Sequence, residues 1–188
     1  MNTVITIAGL HGTGKTTYAV ALSEHLGLRL ISAGRLFRQI ADERSLTLEQ
    51  LSTVASREPG IDKEIDGRML SEAQKGNVVL DGLLSAWTAR DYAGMKIYLV
   101  APDEVRIRRI ARRERIPFDV ARRETLTRER IERERFKKFY GFDVDSLNIY
   151  DLVMNTALLP KSSNLKILKM ATWEYIATRV KVGAIARY

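Results

Sequence analysis

Apolar and polar positions alternate along the chain in blocks that predict strands and helices in turn. Short apolar runs bounded by turn residues predict buried strands. They lie at 3–8, 29–31, 78–80, 95–100 and 148–154. Helical spacing of apolar residues predicts helices at 15–26, from 34 to beyond Ile40, at 47–57, at 61–75 and at 164–180. Pro117 separates two further helical stretches that are rich in arginine. Strands that alternate with helices indicate an α/β fold, a parallel sheet covered on both faces.

Length and composition limit the classes of protein that fit. With 188 residues, 45% of them hydrophobic and 29% charged, we expect one domain over 1–188 and little room for a second core. The apolar runs are strand-sized and the start lacks a basic region, so we expect no membrane span, no signal peptide and a cytoplasmic location. The absence of cysteine excludes disulfides, thiolate metal sites and cysteine nucleophiles.

The positive charge is concentrated in one segment. The formal net charge is +8, and residues 105–138 contain 14 Lys+Arg against 6 Asp+Glu, which accounts for all of it. Such a cluster indicates a polyanionic partner, either a phosphorylated metabolite or nucleic acid. No nucleic-acid motif with interleaved aromatic residues accompanies it, which makes nucleic acid the less favoured alternative.

Single arginines of this segment also fit a solvated helix face. Favourable ion pairs are expected between a glutamate and a basic residue four positions later on the same helix. These expected pairs are Glu124–Arg128, Glu129–Arg133 and Glu134–Lys138. The anion-binding hypothesis therefore concerns the cluster as a whole.

The first strand leads into a glycine-rich motif. Residues 9–16 read Gly-Leu-His-Gly-Thr-Gly-Lys-Thr and match G-x-x-x-x-G-K-[ST]. In such a loop, backbone N–H groups and a helix N-terminus converge on phosphate oxygens. Lys15 is expected to reach the β and γ phosphates of the ligand, and the Thr16 hydroxyl to bind Mg²⁺. The variable position His11 is expected to face solvent.

Asp81 ends the third predicted strand. The carboxyl ends of parallel strands face the ligand in α/β proteins, so this carboxylate is a second candidate for Mg²⁺ and its waters. The alternative is that Asp81 caps the next helix.

Beyond the loop, the chain to about residue 156 resembles the nucleoside monophosphate kinases, and among them the archaeal type of cytidylate kinase. The resemblance includes 31–38, 76–82, 112–114, 123–125, 128–129, 135–136 and 149–156. The pattern S-x-G-x-x-F-R at 32–38 and Y-D-L-V-x-N-T at 150–156 is more selective than the phosphate-binding motif, which many NTPases share.

The resemblance implies a three-layer fold of the P-loop NTPase type with a five-stranded parallel sheet. It also implies an NMP-binding insertion at about 34–75 and a mobile LID at about 112–125. The implied reaction is Mg²⁺-assisted, in-line transfer of the γ-phosphoryl group of ATP to CMP or dCMP, with AMP or UMP as the alternative acceptor. We expect a monomer.

Site residues follow from the same resemblance. The ATP site would comprise Gly9, Leu10, His11, Gly12, Thr13, Gly14, Lys15, Thr16, Thr17, Asn155 and Thr156, with the last two near the donor base. The acceptor site would comprise Ser32, Gly34, Arg38, Asp62 and Arg68, with Arg38 on the α-phosphate. Arg112, Arg128 and Arg135 would clamp the phosphates. Asp62, Asp66 and Arg68 are candidates for the cytosine edge, although solvated helix charges fit them equally well.

One position departs from the family pattern. Related sequences tend to carry an arginine directly after the acidic-Gly pair, where this chain has Leu83 and Leu84. Either Arg35, Arg68 or Arg90 supplies that charge, or the affinity for the acceptor is weak.

Overall fold

A five-stranded parallel sheet forms the centre of the molecule, as predicted. The computed structural model describes the backbone of residues 2–185 and the side chains of residues 2–48 and 50–179. The strands are β1 (Val4–Gly9), β2 (Arg29–Ser32), β3 (Val78–Asp81), β4 (Met95–Val100) and β5 (Leu152–Asn155). Their order is β2-β3-β1-β4-β5, and every neighbouring pair is parallel. Strand β1 is therefore central, and the loop that follows it lies at the middle of the carboxyl edge.

Eight helices connect and cover the strands in the described part of the chain. They are α1 (Lys15–Leu26), α2 (Ala33–Glu43), α3 (Leu48–Arg57), α4 (Gly60–Lys75), α5 (Ser85–Thr88), α6 (Asp103–Glu114), α7 (Phe118–Tyr140) and α8 (Lys161–Ile185). The sequence pattern gave no bounds for the short helix α5, which contains Trp87. Helix α3 begins at a capping box, because the Thr47 hydroxyl accepts from the Gln50 N–H and the Gln50 side chain accepts from the Thr47 N–H.

The predicted start of the last strand was wrong by four residues. Asn148 and Ile149 form a turn, and the chain joins the sheet only at Asp151. There the Asp151 N–H donates to the Lys96 carbonyl at 2.8 Å, and its carboxylate accepts from the Lys96 N–H at 2.6 Å. The Asp151 side chain thus takes part in the first hydrogen bonds to β4. The pattern of apolar residues does not reveal such a contact.

Each face of the sheet carries its own core, because successive strand residues point to opposite sides. Val4, Val78 and Leu80 pack with buried residues of α2, α3 and α4 on one face. Ile5 and Val79 pack with residues of α1 and α8 on the other. These two cores produce the three-layer α/β arrangement that the resemblance implies.

The helices of the two predicted insertions leave the sheet at its carboxyl edge. Helices α2 to α4 lie between β2 and β3. The predicted LID residues 112–125 run from the end of α6 through a short connection into α7, and both of these helices lie between β4 and β5. That either segment moves as a unit stays a prediction. Within residues 2–185, no helix has both the length and the hydropathy required to cross a membrane.

Candidate active site

The loop between β1 and α1 has a conformation that only glycine tolerates at some positions. Gly12 has φ +79°, and a Cβ there would lie 2.5 Å from the carbonyl oxygen of Arg106. The Thr13 hydroxyl donates to the Leu10 carbonyl at 2.8 Å and closes the turn. The glycines therefore let the loop pass directly against the first turn of α6.

Lys15 is the first residue of α1, and its amine points back over the loop. Its Nζ donates to the Leu10 carbonyl at 3.0 Å. Desolvation lowers the pKa of Lys15 and outweighs the opposing effect of the carboxylates of Asp81, Glu132 and Glu129. A bound phosphate would bring a counter-charge to this amine, so the site favours an anionic ligand.

Thr16 and Asp81 meet at the carboxyl edge of the sheet. The Thr16 hydroxyl donates to Asp81 Oδ2 at 2.7 Å, and the Ser32 hydroxyl donates to the same oxygen at 2.9 Å. Asp81 is buried and lies opposite Ile7 and Ser32 in the sheet. It does not cap the next helix, since α5 begins at Ser85 with Leu84 as its N-cap residue.

The oxygen donors at this point fit a magnesium ion that arrives with phosphates. Mg²⁺ is usually held by one or two carboxylates together with phosphate oxygens and waters. Asp81 supplies the carboxylate and Thr16 a hydroxyl. Among the described residues, no group of three or more His, Asp or Glu side chains is arranged to hold a metal ion.

A cavity of about 1260 Å³ extends from the loop to helices α3 and α4. Most of the predicted site residues line it. They are Gly9, His11, Gly12, Gly14, Lys15, Thr16, Thr17, Ser32, Gly34, Arg38, Asp62, Asp81, Arg128 and Arg135. The structure therefore brings the predicted donor loop and the predicted acceptor residues to one space.

The remaining predicted residues lie elsewhere. Leu10 and Thr13 belong to the loop but not to the cavity wall. Thr156 is buried and donates its hydroxyl to the Thr13 carbonyl at 2.9 Å, so it anchors the loop from behind. Asn155 is exposed, and its side chain accepts from the Ala157 N–H.

Two of the predicted arginines do not line the cavity in this structure, and their roles stay predictions. Arg68 does not line the cavity, because it binds Glu43 at 2.9 Å and Glu64 at 2.8 Å on another side of α4 from Asp62. Arg112 is exposed at the end of α6 and is also absent from the cavity wall. Its neighbours Arg109 and Arg113, four residues apart, line the cavity instead.

Arg109 was not singled out from the sequence as a site residue. Its guanidinium donates to the Thr156 hydroxyl and carbonyl, both at 2.9 Å, and to the Gly12 carbonyl at 3.3 Å. It therefore ties the loop to the segment after β5 while it lines the cavity.

The charge expected after the acidic-Gly pair is not supplied by the arginines that we considered. Arg35, Arg68 and Arg90 all lie outside the cavity wall, whereas Leu83 and Leu84 are part of it. Arg90 pairs with Asp91 in solvent. The arginines that line the cavity are Arg38, Arg109, Arg113, Arg123, Arg128 and Arg135.

At the far end of the cavity, two carboxyl groups of α4 face Arg135 of α7. Arg135 Nε lies 2.8 Å from Asp62 Oδ2, but the geometry is not that of a hydrogen bond, and neither atom has another partner among the described residues. Burial raises the pKa of Asp62 to about 6 despite the nearby Arg135. Burial also raises the pKa of Asp66, which accepts from the Thr88 hydroxyl at 3.1 Å.

His11, which we expected to face solvent, is only partly exposed, and its side chain and backbone both have partners on α7. Its ring Nε2 lies 2.9 Å from Glu132 Oε2, and its backbone N–H donates to Glu129 Oε1 at 3.1 Å. Burial alone would raise the pKa of Glu132, but His11 and Arg128 lower it to about 2. The carboxylate of Glu132 is thus firmly ionised beside the loop.

The three expected i, i+4 pairs of the arginine-rich segment were also wrong. Arg128 pairs with Glu132, Arg133 with Asp145, and Glu134 with Arg130. Glu129 pairs with Arg106, and both side chains are buried. Glu129 lies four residues after Thr125 and eight after Ala121, so it shares their buried face of α7. A carboxylate on that face could have indicated from the sequence that Glu129 is buried with a partner.

The amino-acid sequence is similar to those of known cytidylate kinases. The model of the cytidylate kinase-like family matches residues 4–158. The cytidylate kinase of Staphylothermus marinus is 48% identical over 166 residues, 88% of this chain and 94% of that protein. That of Methanopyrus kandleri is 44% identical over 180 residues, 91% of this chain and 93% of that protein.

Solved structures agree on the fold. The chain superposes on shikimate kinase from Bacteroides thetaiotaomicron with a TM-score of 0.62 at 17% identity, covering 94% of this chain and 99% of that one. It superposes on TT1252 from Thermus thermophilus with a TM-score of 0.61 at 20% identity, covering 92% of this chain and 97% of that one. At such identities these matches support the α/β fold alone.

Proposed function

The chain belongs to the cytidylate kinase-like family, and we propose that it transfers the γ-phosphoryl group of ATP to CMP or dCMP, giving ADP and CDP or dCDP. One observation carries the proposal. A single cavity has the phosphate-binding loop at one end and the carboxyl groups of α4 at the other. Two nucleotides can therefore meet in it with their phosphates together.

The donor end binds the phosphates of ATP. The backbone N–H groups of the loop and the N-terminus of α1 attract the phosphate oxygens. When ATP binds, the Lys15 amine would leave the Leu10 carbonyl and donate to phosphate oxygens instead. Thr16 and Asp81 would hold Mg²⁺, which neutralises phosphate charge when it is bound. The magnesium requirement and the roles of these residues are proposals, supported by the donor set described above.

The chain itself does not have to supply a base. The acceptor phosphate is already a nucleophile, so what remains is to align the two phosphates and to stabilise the charge that spreads over the transferred group. The cavity-lining arginines Arg38, Arg128 and Arg135 are suited to this, because one guanidinium group can donate two parallel hydrogen bonds to two phosphate oxygens. We expect closure of residues 112–125 to exclude water, which would otherwise accept the phosphoryl group.

The acceptor base would lie near Asp62 and Asp66. A carboxylate accepts a hydrogen bond from the exocyclic amino group of cytosine but repels the carbonyl oxygen that uracil carries at that place. These two carboxyl groups line the cavity, which favours CMP over UMP. Adenine also carries an amino group, so this argument alone does not separate CMP from AMP.

The test is ADP release from Mg·ATP with CMP, dCMP, UMP, AMP, GMP or no acceptor in parallel. We expect strong turnover with CMP and dCMP only. Turnover with AMP or UMP instead would correct the acceptor but keep the reaction. A rate no higher with any acceptor than without one would contradict the proposal. The monomeric state and the cytoplasmic location stay predictions.

A further inference from the structure

We propose that Arg106 and Glu129 position the phosphate-binding loop by holding the backbone of His11 between them. The inference rests on the proposed function, because its consequence is the binding of Mg·ATP. Arg106 is on α6 and Glu129 on α7, so neither belongs to the loop or to its sequence motif.

The contacts form a closed set around one residue. Arg106 Nη1 donates to the His11 carbonyl at 2.7 Å, and the His11 N–H donates to Glu129 Oε1 at 3.1 Å. The two side chains also bind each other, at 2.6 Å from Nη1 to Oε1 and 3.2 Å from Nη2 to Oε2. Arg106 is 1% exposed and Glu129 2% exposed. Both backbone polar groups of His11 are thus held by one buried ion pair.

Within the loop, the Thr13 N–H donates to the Leu10 carbonyl at a long 3.4 Å, so contacts from α6 and α7 add to its support. Gly12, the residue after His11, lies against the backbone of Arg106 so closely that a Cβ would meet its carbonyl oxygen. A shift of the His11 peptide would therefore move the N–H groups that follow it, and these are the groups that phosphate oxygens require.

The pairing also solves an electrostatic problem. An unpaired carboxylate this close to the loop would repel the phosphates of ATP. Burial by itself would lower the pKa of Arg106, but the carboxylates of Glu129 and Asp103 raise it above its ordinary value. The guanidinium stays charged and neutralises Glu129, so the carboxylate can bind the His11 N–H without opposing the ligand.

A purely structural ion pair and a positioning pair respond differently to apolar replacement. Folds often tolerate the exchange of a whole buried ion pair for apolar side chains of similar volume, whereas removal of one partner is costly. The double variant Arg106→Met/Glu129→Leu keeps the volume and leaves no unpaired charge in the interior, because Asp103, which also binds Arg106, is exposed to solvent. The variant releases both backbone groups of His11.

We expect this variant to fold and to retain a cooperative unfolding transition. Its affinity for Mg·ATP, measured in the absence of an acceptor nucleotide, should fall about tenfold or more, because about two hydrogen bonds that hold the loop are lost. The KM for CMP at saturating ATP should stay near that of the unmodified enzyme. A matched control is Arg130→Met/Glu134→Leu, which makes the same exchange in an exposed pair on α7. The control should bind Mg·ATP normally.

A folded double variant with unchanged affinity for Mg·ATP would overturn the proposal, as would equal loss in the control. If the double variant does not fold, Arg106→Lys decides, because lysine keeps the charge but loses the forked contact with Glu129 and His11. Unchanged affinity in Arg106→Lys would equally count against positioning. Failure of the unmodified chain to bind Mg·ATP or to phosphorylate any nucleotide would instead contradict the proposed function.

Discussion

The raised pKa of Asp62 gives the choice between CMP and UMP a pH dependence. With a pKa of about 6, the ionised fraction falls from about 90% at pH 7 to about 10% at pH 5, whereas an ordinary aspartate stays ionised over this range. The carboxylate accepts from the cytosine amino group, and the protonated form can donate to the uracil carbonyl. Lowering the pH should therefore reduce the preference for CMP by up to about tenfold.

The assay is the ratio of kcat/KM for CMP to that for UMP between pH 5 and pH 7, with circular dichroism to confirm that the enzyme stays folded. Both acceptors carry the same phosphate, so its own titration cancels in the ratio. The matched control is Asp62→Asn, in which the ratio should depend less on pH in this window, with Asp66, whose pKa burial also raises, as the remaining carboxyl group beside the base. A constant ratio in the unmodified enzyme, or an equal fall in the variant, would refute the role of Asp62.

Three further variants test other parts of the structure. Lys15→Ala should lower kcat by about 10³-fold in a coupled ADP assay, with the free energy of unfolding in urea nearly unchanged; near-normal turnover would reject the loop as the phosphate site. Asp81→Asn should raise the Mg²⁺ concentration for half-maximal rate by about tenfold or more, and an unchanged Mg²⁺ titration would count against that ligand. Leu22→Ala removes a fully buried side chain of α1 and should cost about 2–5 kcal/mol of unfolding free energy; a loss below about 1 kcal/mol would mean that this core relaxes around the change.

Local patterns in the sequence determined the sheet, most helices and the phosphate-binding loop. The apolar runs predicted all five strands. The three central strands are largely buried on both faces and are therefore rich in apolar residues, whereas the edge strands β2 and β5 are only partly buried and gave shorter or less exact signals. The loop was predictable because its glycines and Lys15 act at fixed spacing within one strand–turn–helix unit. Thr16 follows β1 and Asp81 ends β3, and because these two strands are neighbours in the sheet, the two proposed magnesium ligands meet.

Only the tertiary structure decided which charged side chains face the cavity and which bind one another. Arg68 and Arg112 fitted the expected roles by position, yet one binds two glutamates and the other lies in solvent. The partners of the glutamates in α7 were wrong in every expected pair, because alternating charges along a helix allow several pairings of nearly equal energy. Packing against α6 and the loop selects among them, and it places Glu129 on Arg106, 23 residues away along the chain.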